Sequence, residues 1–345
     1  MSLLDRFRKD TVVDLDACDD LAAQKYAPVG HMTSNQAIVY NELQDARHVN
    51  IIREGTEQAI RDLTDDVEKD VTAAQLAADW MTVKLGQTVA KHISADGHVL
   101  AQTNPSQANS TEATVAHARR FVRLYDRAGV PQSRVTIKVP STLEGLRACK
   151  ILGAEYGIHA LGTMILSVEQ GIAAGEEAKC WAVSPYCNPL EVHFVPGVHE
   201  FHENPVRTMP GMRITAQIQR QFKRRGVKTV VLAASLVTVE ECVALSGVDR
   251  ATIGIPMLEL MSTTPHSPRL DQIREEAIAS YEPTHMPEDE IPTDMRFPLE
   301  EPATALKAAF ARPEVSEGMK KALWRFGEFE KSLLALAEQA VLAAK

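Results

Sequence analysis

Aromatic residues make up only 5% of this 345-residue chain, and no apolar run reaches the length of a membrane span. The first shortage argues against an all-β core and favours a helix-rich α/β protein built on Ala, Leu and Val. The second leaves no candidate for a transmembrane helix. Cysteine is also scarce. Cys18, Cys149, Cys180, Cys187 and Cys242 form an odd set with no CxxC spacing. A disulfide framework or structural zinc site is therefore disfavoured, and buried, reduced thiols are expected. There is no Lys/Arg stripe or tail, and the net charge is −9, so nucleic acid is not an expected partner. The N-terminal segment has no apolar signal core, which makes the cytoplasm the expected location.

What is present is a 45% hydrophobic chain, long enough for one barrel with insertions or for two ordinary domains. Short β-rich runs alternate with amphipathic stretches. Strands are expected at 11–16, up to 33–35, and at 99–102, 135–139, 161–165, 180–184, 229–235 and 251–255. Helical patterns occupy 111–128, 143–156 and 215–225, the last ending at Gly226 as a C-cap. Strands joined by helices run parallel, and eight such units close into a (β/α)8 TIM barrel. A doubly wound sheet is the alternative, but no Gly-rich phosphate turn follows the first strand. Two segments exceed ordinary loop length, at 188–212 and at 262–302, with a helix possible at 268–281. A final helix is expected at 317–344. With no internal repeat or linker, the reading is one domain over 1–345 with additional C-terminal helices.

In such a barrel the chemistry gathers at the C-terminal ends of the strands. Those ends carry Asp16, Asn35, Gln102, Lys138, Thr163, Ser184 and Ser235. Lys138 is flanked by apolar residues in mid-strand, where neither the barrel interior nor the helix side is wet. Burial lowers a lysine pKa from its ordinary ~10.4. The neutral amine can then attack a carbonyl and form an iminium, an electron sink that allows the neighbouring C–C bond to break or form. A structural ion pair with Asp or Glu explains a buried lysine equally well. Asp16 can shuttle protons or serve only as the counter-ion, and Asp14, on the same strand face, is the other candidate.

From Val135 onward the chain resembles the transaldolase family, which includes the fructose-6-phosphate aldolases. The segment Ile137-Lys-Val-Pro-Ser-Thr-Leu-Glu-Gly-Leu-Arg-Ala-Cys-Lys-Ile-Leu152 is similar to the family's lysine strand and following helix. Leu161-Gly-Thr163, Ser184-Pro-Tyr186 and Leu232-Ala-Ala-Ser235 resemble the next motifs in order. Upstream, Asp16-Ala-Cys-Asp19 resembles the first-strand aspartate motif and Thr33-Ser-Asn35 the second-strand asparagine motif. The resemblance implies a (β/α)8 barrel and a cofactor-independent, metal-free class I aldolase of carbohydrate metabolism, with the pentose phosphate pathway as the family's setting. Its substrate would be a small sugar or sugar phosphate. Lys138 would be the Schiff-base lysine, Asp16 its acid–base partner, and Asn35 a hydrogen-bond partner of the donor. Thr163 would hold a catalytic water, while Ser184 and Ser235 would line the pocket. Whether the chain forms a homo-oligomer is left open.

Several positions depart from typical transaldolases. Gln102 stands where they have glutamate, and a carboxamide can orient water but not take its proton. Tyr186 replaces a phenylalanine, and Leu161 an asparagine. All three fit the fructose-6-phosphate aldolase branch, in which the tyrosine acts in acid–base chemistry. Length and C-terminal helices fit the transaldolases. Asn104 replaces an aspartate and can face the pocket. Asn188-Pro189 and Val237 stand where phosphate-binding arginines are expected. Arg207, Arg213 and Lys223 are the candidates to reach in, though each reads better as a surface charge. The readings carried forward are dihydroxyacetone-unit transfer, free aldol cleavage and synthesis, action on an unphosphorylated substrate, and an inactive barrel retained for binding.

His193, His199 and His202 invite a metal reading, but the spacing is wrong for a zinc helix, and an ordinary polar loop fits better. Trp80, Trp181 and Trp324 read as core packing. Lys223-Arg224-Arg225 ends a helix, where cations favour the dipole.

Overall fold

The computed structural model describes residues 2–65, 67–68, 71–288 and 290–344. Parallel strands β1 Val12–Leu15, β2 Met32–Thr33, β3 Val99–Gln102, β4 Val135–Pro140, β5 His159–Ile165, β6 Ala182–Pro185, β7 Val230–Ala233 and β8 Arg250–Ile253 close into a barrel in sequence order. The expected barrel is therefore observed. Most expected strands overrun by a residue or two. At the mouth the chain leaves the ladder early, so Asp16, Asn35 and Ser235 lie just beyond their strands. Helix Leu143–Tyr156 falls where expected, and Thr111–Arg127 ends one residue sooner. Helix Pro210–Arg225 and the terminal helix Pro313–Ala343 begin earlier than expected, each with proline in its first turn, where the missing N–H costs nothing. Gly226 ends the former in the left-handed region at φ 67°.

Side chains alternate along each strand, so every strand feeds two environments. Val99, Ala101, Ile137, Val139, Val183, Val231 and Ala233 join the large core between strands and helices. Leu100, Leu161, Ala182 and Leu232 form a separate plug inside the barrel. Gln102, Lys138, Thr163 and Ser184 have the parity of the plug, and all are buried. The sequence therefore turns these polar groups inward.

The terminal helix runs across the mouth. Its Met319, Ala322 and Phe326 pack with Met164, Tyr186, Leu190 and Ala234. Further along it, the buried Glu330 carboxylate accepts from Ser106 N–H at 3.0 Å and Oγ–H at 2.6 Å, just after β3. The 262–302 segment contains helix Pro268–Ser280 and is bound to the barrel by Arg220 and Arg224, which both reach Glu290. All five cysteines are unpaired and buried. Trp80 is buried and donates to Asp62, whereas Trp324 is 57% exposed. Trp324 is thus not a core residue, because its helix turns that face to solvent. Among the described residues no helix is long and apolar enough to cross a membrane.

The base of the barrel holds an aromatic stack. Trp181 lies between His31, His98 and His159, with ring centroids 4.8–5.7 Å away. His31 N–H donates to Asp14, whose carboxylate is paired with Arg250. Burial, reinforced by nearby cations, lowers the His31 pKa to about 3 and the His98 pKa to about 4. Unfolded histidine titrates near 6.5. Below that pH the unfolded chain binds protons that the folded barrel refuses, so stability is complete above about pH 6.5 and falls as the medium is acidified. The expected loss is about 1.4 kcal/mol per pH unit for each histidine. Urea unfolding between pH 7.5 and 5 should show this slope, and His98→Gln should reduce it by about one proton. A stability that stays flat over that range refutes the account.

Candidate active site

Lys138 occupies the inner face of β4, 3% exposed, with Gln102 and Leu161 beside it in the ladder. Its Nζ makes no hydrogen bond or ion pair among the described residues. Burial pushes its pKa below the ordinary lysine value, and the Asp16 charge opposes that only in part. The barrel therefore shifts the amine towards its neutral form.

Asp16 follows β1 and stays partly open to the mouth. Its carboxylate accepts from Thr33 Oγ at 2.5 Å, and Thr33 is linked to Thr252 at 2.6 Å. The charge on Asp16 is felt by Lys138, Tyr186 and His193, so all three lie within electrostatic range of one carboxylate. Asp14, the other candidate, is fully buried at the barrel base. It is bound by Arg250 at 2.6 and 2.9 Å and by the His31 N–H at 2.7 Å, which removes it from the site.

Tyr186 lies just past β6 and opposes Ala234 across an isolated bridge. Thr163 Oγ donates to its hydroxyl at 3.3 Å. Burial first, and then Asp16, push the phenol pKa upward, so Tyr186 holds its proton at neutral pH. Thr163 precedes a register shift at which Met164 takes φ 60°, and Ser184 is paired with Thr163 across the ladder. The Ser184 hydroxyl is buried without a protein partner among the described residues. Ser235 also takes the left-handed region, at φ 70°. Such backbone strain in non-glycine residues is held in place by the surrounding fold and gathers at functional sites.

Gln102 is oriented by Gln36, a residue missed in the sequence. Gln36 Nε2 donates to the carbonyls of Gln102 and Thr103 at 3.1 and 3.2 Å. Its Oε1 must therefore meet the Gln102 Nε2, at 2.8 Å. That leaves the Gln102 Oε1 buried and without a partner among the described residues, ready to accept from a water or hydroxyl. Asn35 caps helix Gln36–Glu42 by accepting from Ile38 N–H at 3.0 Å. Asn104 donates its N–H to His117 Nδ1 at 3.2 Å, and His117 is held by Asp79 at 3.0 Å. Asn35, Gln102 and Asn104 border one small cavity with Gln36 and Leu333 of the terminal helix.

The far rim is built from the long loop after β6. Ser235 Oγ and His193 Nε2 share a hydrogen bond of 2.8 Å. The buried Glu241 carboxylate accepts from Asn188 Nδ2, the Val237 N–H and His199 Nε2, at 2.8, 2.8 and 2.7 Å. Arginines were expected at Pro189 and Val237; the acid is hydrogen-bonded to Val237 and to Asn188, the residue before Pro189. Arg207 is paired with Glu276 and Lys223 donates to the Tyr281 carbonyl. Arg213 lines an outer groove beside Glu276. None of these three cations reaches the mouth. His199 and His202 turn to different partners, Glu241 and Thr208. His193 was visible in the sequence only as a loop histidine, and Glu241 gave no signal there, because the helix that carries it, Val239–Val243, is too short to show a periodicity.

A sequence model of the family described as "Transaldolase/Fructose-6-phosphate aldolase" matches residues 5–296. The chain is 31% identical over 266 residues to a transaldolase of Gloeobacter violaceus and 32% identical over 266 residues to one of Thermosynechococcus vestitus, each match covering 76% of this chain. It spans 66% of those two proteins, just under two thirds of their length. A transaldolase of Sus scrofa is 31% identical over 264 residues, which is 76% of each chain. A closed parallel barrel with an unpaired lysine inside the mouth, in a chain matched by that family over most of its length, leads to one assignment: the chain belongs to the transaldolase/fructose-6-phosphate aldolase family.

Proposed function

We propose that the protein is a class I aldolase that cleaves or transfers a dihydroxyacetone-type unit of a small ketose through a Schiff base on Lys138. The observation that carries this reading is a lysine buried on the inner face of β4 with no ion-pair partner, close enough to Asp16 to feel its charge. A structural lysine would be neutralised by contact. This one is left free to react.

In this reading the neutral Lys138 amine attacks the ketose carbonyl and gives a carbinolamine. Asp16 supplies the proton that lets its hydroxyl leave as water, and the protonated Schiff base forms. The iminium then draws in the electron pair of the adjacent C–C bond as the neighbouring hydroxyl gives up its proton, so an aldehyde departs and an enamine remains. A second aldehyde takes the enamine carbon in transfer, and a proton takes it in free aldol cleavage. Tyr186, protonated at neutral pH, is suited to give and regain that proton. A water held between the Gln102 Oε1 and the Thr163 and Tyr186 hydroxyls would serve hydrolysis of the Schiff base. Asn35, Ser184, Asn104 and Ser235 are the proposed contacts to the sugar hydroxyls. A cytoplasmic setting goes with this reading, since all five thiols are unpaired.

Reduction with borohydride in the presence of dihydroxyacetone or fructose 6-phosphate should label Lys138, and Lys138→Met should take no label. An unlabelled Lys138 with every small ketose tried ends the proposal. The neutral amine is the nucleophile and burial lowers its pKa, so the labelling rate should rise with pH and level off below pH 10.5. A rate still climbing at that pH contradicts the burial argument. Tyr186→Phe keeps the packing against Met319 and Phe326 and removes the hydroxyl. It should lower kcat by roughly 10²-fold or more while Lys138 is still labelled. An unchanged kcat would remove Tyr186 from proton transfer.

A further inference from the structure

The rim formed by His193, His199, Ser235 and Glu241 has no part in the chemistry at Lys138. It stands beside the mouth, in the segments that follow β6 and β7, where the Asp16 charge reaches His193. Ser235 Oγ and His193 Nε2 present a hydroxyl and an imidazole 2.8 Å apart. Behind them Glu241 is 1% exposed and takes its hydrogen bonds from Asn188, Val237 and His199. All of its donors are neutral side-chain or backbone groups or an imidazole, and no guanidinium or ammonium is paired with it among the described residues. The nearby Arg269 binds Glu240 at 3.2 Å and the Glu203 carbonyl at 3.0 Å, and Arg207 is committed to Glu276. Burial holds His193 towards its neutral form, so it does not offset the acid.

From this geometry we infer that the rim is a specificity site for the neutral, hydroxylated end of an unphosphorylated sugar, and that Glu241 excludes substrates carrying phosphate there. A hydroxyl can donate to His193 or accept from Ser235. A phosphate would bring up to two negative charges towards a buried carboxylate in a region of low dielectric, with no arginine fork to receive them. Specificity against a competitor is often built as such a repulsive element. The inference rests on the reading of the site as a Lys138 aldolase.

The test compares kcat/KM of the full chain for addition of dihydroxyacetone to glyceraldehyde and to glyceraldehyde 3-phosphate. The unphosphorylated aldehyde should be favoured at least about tenfold, the loss expected when a charged group is brought towards a buried carboxylate with no cationic fork to receive it. Glu241→Gln should raise the value for the phosphorylated aldehyde severalfold, and His193→Arg, which places a cation on the rim, should do the same or reverse the preference. His193→Arg also keeps the test valid if Glu241→Gln does not fold. A wild-type preference for the phosphorylated aldehyde overturns the inference. So does a preference that neither folded variant shifts. Borohydride labelling of Lys138 by dihydroxyacetone alone separates the two levels of the argument. Without the label the aldolase reading fails, whereas a label with the opposite preference fails the rim alone.

Discussion

Taking an ammonium out of water costs several kcal/mol unless a carboxylate or several acceptors meet it. Lys138 is buried with neither, and much of the architecture bears on how that is tolerated. The apolar plug of Leu100, Leu161, Ala182 and Leu232 supports it inside the barrel. The helix Pro313–Ala343 covers the mouth through Met319, Ala322 and Phe326. Burial shifts the amine towards its neutral form, which is the form the proposed Schiff-base chemistry needs. On that reading the same burial prepares the nucleophile and removes the need for a structural partner.

Asp14 and Asp16 show how position decides the role of one residue type. They share a strand and a face, and they lie two residues apart. Asp14 is completely buried and its oxygens are occupied by Arg250 and the His31 N–H. Its charge holds the base of the barrel together. Asp16 stands two residues further on, past the end of β1, and accepts from the Thr33 hydroxyl. It keeps an oxygen available at the mouth. On the proposed reading, the step from a structural to a reactive carboxylate is the length of two residues of strand, and the arginine that binds Asp14 makes the difference.

Much of this was legible in the sequence because the barrel's strands were. The sequence placed Lys138 in an apolar mid-strand with the inward and helix-facing directions both open, and Gln102, Thr163 and Ser184 at strand ends; the two cores on either side of the strands show that all four turn inward. The ends of strands were less legible, since Asp16, Asn35 and Ser235 leave the ladder where the chain turns into its loops. Gln36 was missed because a glutamine at the start of a helix looks like an ordinary surface residue, and only the neighbouring β3 carbonyls reveal its function. The Glu241 network was out of reach for another reason. It brings together residues 188, 199, 237 and 241, two of them in an irregular loop, and no local pattern encodes that meeting. The exposed Trp324 is the reverse case, a large aromatic that composition alone assigns to the core.

Gln102 has a consequence for proton traffic at the mouth. Its amide nitrogen is occupied by Gln36, so only the Oε1 faces inward, and a carboxamide oxygen accepts hydrogen bonds without taking up a proton at neutral pH. Every proton moved in the proposed cycle must then pass through Asp16, Tyr186 or water. Asp16 lies near the nucleophile and suits the steps at the carbonyl oxygen. Tyr186 is kept protonated by burial and is held by Thr163, so it suits a step in which a proton is delivered at a fixed point. Replacing an acid with an amide at position 102 thus concentrates proton transfer in a phenol that burial makes reluctant to ionise. On the proposed reading, the balance between transfer and release depends on whether an aldehyde or a proton from Tyr186 reaches the enamine first.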